Sequence, residues 1–137
     1  MPRPYRPLLL ALALLPAWPC GSAGAQDGRW LYVTSTPEDT VVEIDRHAIT
    51  AVGERVQVRV RYLFGPGGRR ILGRTAHQAV MLSAIDCTAG TAAVLESSYH
   101  DERGRTVSRQ RYLAPPSDPI REGSTMEAVA EQVCDAG

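Results

Sequence analysis

A chain that ends Ser124-Thr-Met-Glu-Ala-Val-Ala-Glu-Gln-Val-Cys134 commits its C-terminus to a short helix that must lie on something. Ser124 with Glu127 three residues on is a capping box: the hydroxyl accepts from a backbone N–H and the carboxylate reaches back. Met126, Val129, Ala130, Val133 and Cys134 recur at three- and four-residue steps, which is one helix face. Glu127, Glu131 and Gln132 take the wet face. About three turns of helix are marginal alone, so the apolar face needs a surface. Cys134 closes that face. Beyond the N-terminal segment the only other cysteine is Cys87. The pair is read as a disulfide staple between the helix and the end of a strand.

The N-terminus reads as an export signal. Arg3 and Arg6 precede a short apolar run, Leu8 to Leu15, and Ala23-Gly24-Ala25 offers an Ala-x-Ala cleavage site. The run is shorter than the roughly 20 residues of a membrane span. Residues 1–25 are therefore expected to be a signal peptide and 26–137 one domain. A lipoprotein signal ending at Cys20 is the alternative, but Ala17-Trp18-Pro19 fits it poorly. An exported chain with two cysteines suits an oxidising compartment.

All 15 basic residues are arginines, and they face 15 acids. Loss of Arg3 and Arg6 with the signal leaves a slight acidic excess, which excludes a nucleic-acid footprint.

Strand signals fill the middle of the chain. Trp30 to Val33 and Val41 to Asp45 are aromatic and β-branched. In Arg55 to Tyr62, Val56, Val58, Val60 and Tyr62 alternate with Arg55, Gln57, Arg59 and Arg61, so one face is buried and the other wet. Gly65 to Gly68 is a loop, and Gly73 interrupts the next segment. Thr75 to Cys87 is too long for one straight strand and predicts a bend or bulge. Thr91 to Tyr99 is a strand with Ala93, Leu95, Ser97 and Tyr99 on one side. His100 to Gly104 is a hairpin tip, and Thr106 to Leu113 pairs back. Pro115, Pro116 and Pro119 make a stiff connector unable to supply a central strand. The fold class is α+β: an antiparallel meander of about six strands, with one C-terminal helix packed on a face and tethered by the disulfide.

These residues, in this order, resemble the surface-adhesin protein E family of bacterial exported proteins. The resemblance rests on Trp30 opening the first strand, Ile44-Asp45 closing the second with Ile49 shortly after, and the valine-alternating third strand. It continues through Ile85-Asp86-Cys87, Tyr99 ahead of a turn at Gly104, and Ile120-x-x-Gly-Ser124-x-x-Glu127 leading to Val133-Cys134. Where the family commonly carries a tryptophan before the helix, this chain has Asp118-Pro119-Ile120. The resemblance implies a sheet backed by a tethered helix, and homodimers. It also implies an exported binding module at the surface or in the periplasm, with adhesion to extracellular-matrix proteins. The alternatives are a structural envelope protein without adhesion activity and a small periplasmic hydrolase.

No enzyme chemistry is apparent. His47, His77 and His100 sit in separate segments, and Asp45-x-His47 lies where a turn would hold such residues anyway. Neither a metal nor another cofactor is expected. Ser97 and Ser98 lie near His100 and Asp101, but without a Gly-x-Ser-x-Gly elbow. Asp86 is read as an acceptor for N–H groups of the adjoining turn. The binding candidates are arginines: Arg55, Arg59 and Arg61 on the wet face of the third strand, and Arg69, Arg70 and Arg74 in and after the next loop. Such a stripe suits an acidic or sulfated envelope or matrix macromolecule. Cross-strand pairing with Glu and Asp is the plainer account of it.

Overall fold

The structure is a computed structural model that describes residues 28–135. The expected signal peptide and Cys20 lie outside the described residues.

Ten strands and one helix follow in order. The strands are β1 (Trp30–Ser35), β2 (Val41–Asp45), β3 (Thr50–Val52), β4 (Arg55–Leu63), β5 (Arg69–Ile71), β6 (Arg74–Ala76), β7 (Gln78–Asp86), β8 (Thr91–His100), β9 (Thr106–Arg111) and β10 (Asp118–Pro119). The helix is α1 (Thr125–Cys134). The main antiparallel sheet runs β1-β2-β4-β7-β8. The short β3 shares one edge of β4 with β2, and β9 and β10 share the outer edge of β8. The sheet therefore has eight strands, more than the six expected, because β3 and β10 are too short to leave a periodic signal. β5 and β6 form a separate two-stranded hairpin.

Helix α1 forms as its sequence dictates. The Ser124 hydroxyl accepts from the Glu127 N–H at 3.2 Å. The Glu127 carboxylate accepts from Gly123 N–H, one residue further out than a standard capping box. Val129 and Val133 are buried against Val42, Ile44, Val58, Val60 and Ile85, with Met126, Ala130 and Cys134 packed beside them. Burying two valines stabilises the docked helix by about 1.5–3 kcal/mol each. A disulfide joins Cys134 to Cys87, just past β7, with Cα atoms 5.7 Å apart. Ile120 packs on the same core, and its N–H donates to the Gly90 carbonyl.

One sequence expectation is met and one is corrected. The bend expected in Thr75 to Cys87 falls at His77, where the segment divides, with Ala76 ending the hairpin and Gln78 starting β7. The bulge lies on the partner. Leu82 faces Glu96 and Ser83 faces Val94, so Leu95 is the extra residue of β8. Ser97 and Tyr99 therefore share the helix side, but Ala93 is turned to the opposite face, opposite Ala84. Ala92 replaces it against the core.

Candidate functional site

With the β4 valines under the helix, the odd-numbered side chains of β4 project from the other face of the sheet. Register extends that face across four strands. Arg59, Leu82, Glu96 and Arg111 form one transverse row, and Arg61, Val80, Ser98 and Arg109 form the next. Neighbouring strands are about 4.8 Å apart, so the β4 and β9 arginines form two ridges about 14 Å apart. Between them Val80, Leu82 and Ser98 floor a depression of about 200 Å³, also lined by Arg59, Glu96, Arg109 and Arg111.

The ridges are unequally neutralised. Arg61 grips Glu43 with Nε at 2.7 Å and Nη2 at 2.5 Å, and its guanidinium lies 4.2 Å from the Trp30 ring centroid. Arg111 pairs with Glu96 at 3.2 Å. Arg59 and Arg109 are exposed and have no carboxylate partner among the described residues. Arg55 is exposed at the start of β4, opposite Val52. The cross-strand pairing anticipated as the plainer account thus accounts for Arg61 and leaves Arg59 uncompensated.

Trp30 anchors the β1 end of this face. Its ring also lies 5.6 Å from the Arg29 guanidinium. Arg29 in turn holds Asp45, a fully buried carboxylate, with Nε at 2.8 Å and Nη2 at 2.7 Å. Asp45 also accepts from the His47 N–H at 3.1 Å. Burial pushes the Asp45 pKa up. The Arg29 and His47 hydrogen bonds, with the Arg29 charge, more than offset this and hold it below the ordinary carboxylate value.

The loop arginines do not join the ridges. Arg69 stacks on Phe64, 4.7 Å from the ring centroid, in a cleft on the helix side that Tyr62, Met81 and Thr125 also line. Arg70 donates to the Gly73 carbonyl at 2.6 Å and to Thr75 Oγ1 at 3.4 Å, clasping its own hairpin. Arg74 is exposed at the start of β6. The six candidate arginines therefore split into an open-face set and a hairpin set.

Among the described residues no three His, Cys, Asp or Glu side chains cluster as a metal site would require. Asp86 accepts from the N–H groups of Thr88 and Ala89, as expected for a turn-capping carboxylate. Asp101 does the same for Arg103 and Arg105, and those bonds with the Arg105 ion pair lower its pKa. One contact was missed. Ser98 and His100, two apart and so on one face, meet at 3.0 Å. The Ser98 hydroxyl also lies 3.3 Å from the Val80 carbonyl, and Asp101 is engaged with Arg105 instead of the imidazole. Asp101 therefore does not serve the pair as the third group that orients a catalytic base. Arg109 and Arg111 were missed as well. Their signal was present as alternation within Thr106 to Arg111, but only the hairpin register assigns them a face.

No curated protein sequence matches the chain significantly. Solved structures do. Haemophilus influenzae protein E superposes with a TM-score of 0.55 at 13% identity, over 79% of this chain and 85% of that one. A second crystal form gives 0.57 at 13% identity, over 79% and 88%. Protein E from a non-typeable strain gives 0.54 at 13% identity, over 78% and 76%. At such identity these matches establish the shared fold. The sequence profile of surface-adhesin protein E matches residues 30–135, Trp30 through the residue after Cys134. The chain belongs to the surface-adhesin protein E family.

Proposed function

We propose that this protein is an exported binding module that holds a polyanionic matrix or envelope macromolecule on the open face of its sheet. The carrying observation is the register that sets Arg59 and Arg109 on opposite ridges of one depression without carboxylate partners. Guanidinium forks at both edges suit carboxylate and sulfate groups, and the half-buried Val80 and Leu82 between them supply apolar contact. Family membership supports adhesion as the biological use. It also supports export, and the Ala-x-Ala pattern at Ala23–Ala25 is the ground for reading residues 1–25 as the signal peptide. β1 ends the main sheet and exposes Leu31 and Tyr32. An unpaired edge of this kind is a template for a second chain, which makes it the place for homodimer contact. The protein is read as a binder: Asp101 is engaged with Arg105, so the Ser98–His100 contact is taken as structural.

The test is adhesion of cells displaying the protein with Arg59→Glu and Arg109→Glu. The proposal predicts loss of attachment to immobilised matrix proteins at unchanged surface expression. Undiminished attachment would place the site elsewhere. Surface protease accessibility of the native protein separates an adhesin from a structural periplasmic component.

A further inference from the structure

The β5–β6 hairpin is absorbed neither by the sheet nor by the open face, and its tip is built against local preference. Ile71 pairs with Arg74, so Leu72 and Gly73 are the two residues of a tight turn, with φ of 49° and 75°. Two positive φ values mark a type I′ turn, which favours Asn-Gly or Gly-Gly. A leucine there bears a steric cost that asparagine or glycine would avoid. Leu72 is also 82% exposed. A bulky apolar side chain held in a strained conformation, in water, gains nothing for the folded domain.

Its neighbours are cationic. Arg69, Arg70 and Arg74 are exposed on the same hairpin, and no Asp or Glu lies between Gly65 and Ala84. Arg70 braces the turn through Gly73 and Thr75, and Arg69 is steadied over Phe64. The finger is therefore a braced, convex, positively charged projection with one apolar side chain at its point. A convex tip offers no groove for a partner side chain. It suits a surface that yields around an inserted group and carries negative charge.

The geometry points to the β5–β6 hairpin as a membrane-contact finger: Leu72 inserts among acyl chains at the boundary of an anionic bilayer, while Arg69, Arg70 and Arg74 lie against its phosphate headgroups. One apolar residue with a few arginines gives reversible attachment, well short of a stable anchor. The finger would tether the domain to an envelope surface and leave the sheet's open face available.

The experiment is co-sedimentation of the whole domain with phosphatidylglycerol and phosphatidylcholine vesicles at millimolar lipid and low salt. Leu72→Trp serves in parallel as a fluorescent reporter. The expected result is binding to phosphatidylglycerol, little to phosphatidylcholine, and a blue shift of the new indole with the former only. Leu72→Gly should weaken vesicle binding roughly tenfold while raising the melting temperature, because it relieves the turn. Arg70→Gln with Arg74→Gln should weaken it several-fold. Arg59→Gln, on the open face, should change binding less than either. A wild-type protein that ignores anionic vesicles would overturn the inference. So would a Leu72→Gly variant that binds them equally well, or equal binding to both lipids.

Discussion

Removing the disulfide gives the most quantitative test of how the helix is held. Cys87 and Cys134 close a loop of 47 residues. Chain entropy alone makes that cross-link worth about 4 kcal/mol at 25 °C. The helix has a second hold: Val129 and Val133 are buried on β2 and β4 neighbours, at about 1.5–3 kcal/mol each. The two contributions differ in kind, since one restricts the unfolded chain and the other stabilises the folded one. A Cys87→Ser/Cys134→Ser variant should therefore keep its helix in native buffer, with far-UV circular dichroism unchanged. Its unfolding free energy should fall by about 2–4 kcal/mol. For a domain of this size that corresponds to a melting temperature lower by about 10–20 °C. Wild-type protein treated with reductant should behave alike. A loss under about 1 kcal/mol would mean the unfolded chain is already compact where the bridge closes. Loss of helical signal in native buffer would mean the valine packing has been overvalued.

Other consequences are as direct. Asp45→Asn keeps an acceptor for His47 N–H but removes the Arg29 ion pair from a fully buried site, so chemical denaturation should show a loss of about 2 kcal/mol. Because folding lowers the Asp45 pKa from 3.8, the stabilisation it contributes is complete above the unfolded value. It is lost as pH falls through the lower folded value, so the wild-type melting temperature should drop more steeply below about pH 4 than that of Asp45→Asn. Ser83 Oγ is buried under the helix with no hydrogen-bond partner among the described residues. Ser83→Ala should accordingly raise stability by about 1 kcal/mol in a urea melt. Intact-mass analysis of exported protein should find Gln26 at the N-terminus; a diacylglycerol adduct on Cys20 would contradict that reading.

What the sequence revealed and what it hid have a physical dividing line. The helix, its cap and its buried stripe were legible because capping boxes and 3.6-residue periodicity are local. So was β4, whose valines and arginines alternate without a break. The cysteine pair was legible because, with Cys20 assigned to the expected signal peptide, Cys87 and Cys134 are the two cysteines left. The arginine set was only half legible. Arg59 and Arg61 share a face by period two alone, but Arg109 and Arg111 join them through the registers β4–β7, β7–β8 and β8–β9, which no local pattern encodes. The Leu95 bulge shows the same limit: one extra residue reversed Ala93 relative to Ser97, and unbroken alternation had placed them together. The hairpin arginines were separated from the ridges by a tertiary choice, the stacking of Arg69 on Phe64 on the helix side.

The central claim is that the open face of the sheet is the binding surface, and amide chemical-shift mapping tests it most directly. The labelled domain would be titrated with a sulfated oligosaccharide such as a heparin fragment, at low and at moderate salt. The account predicts perturbations concentrated at Arg59, Arg61, Val80, Leu82, Ser98 and Arg109. They should weaken as salt shortens the Debye length from about 10 Å at 0.1 M to about 3 Å at 1 M. Perturbations centred instead on α1, or on the cleft beside Phe64 and Met81, would contradict it.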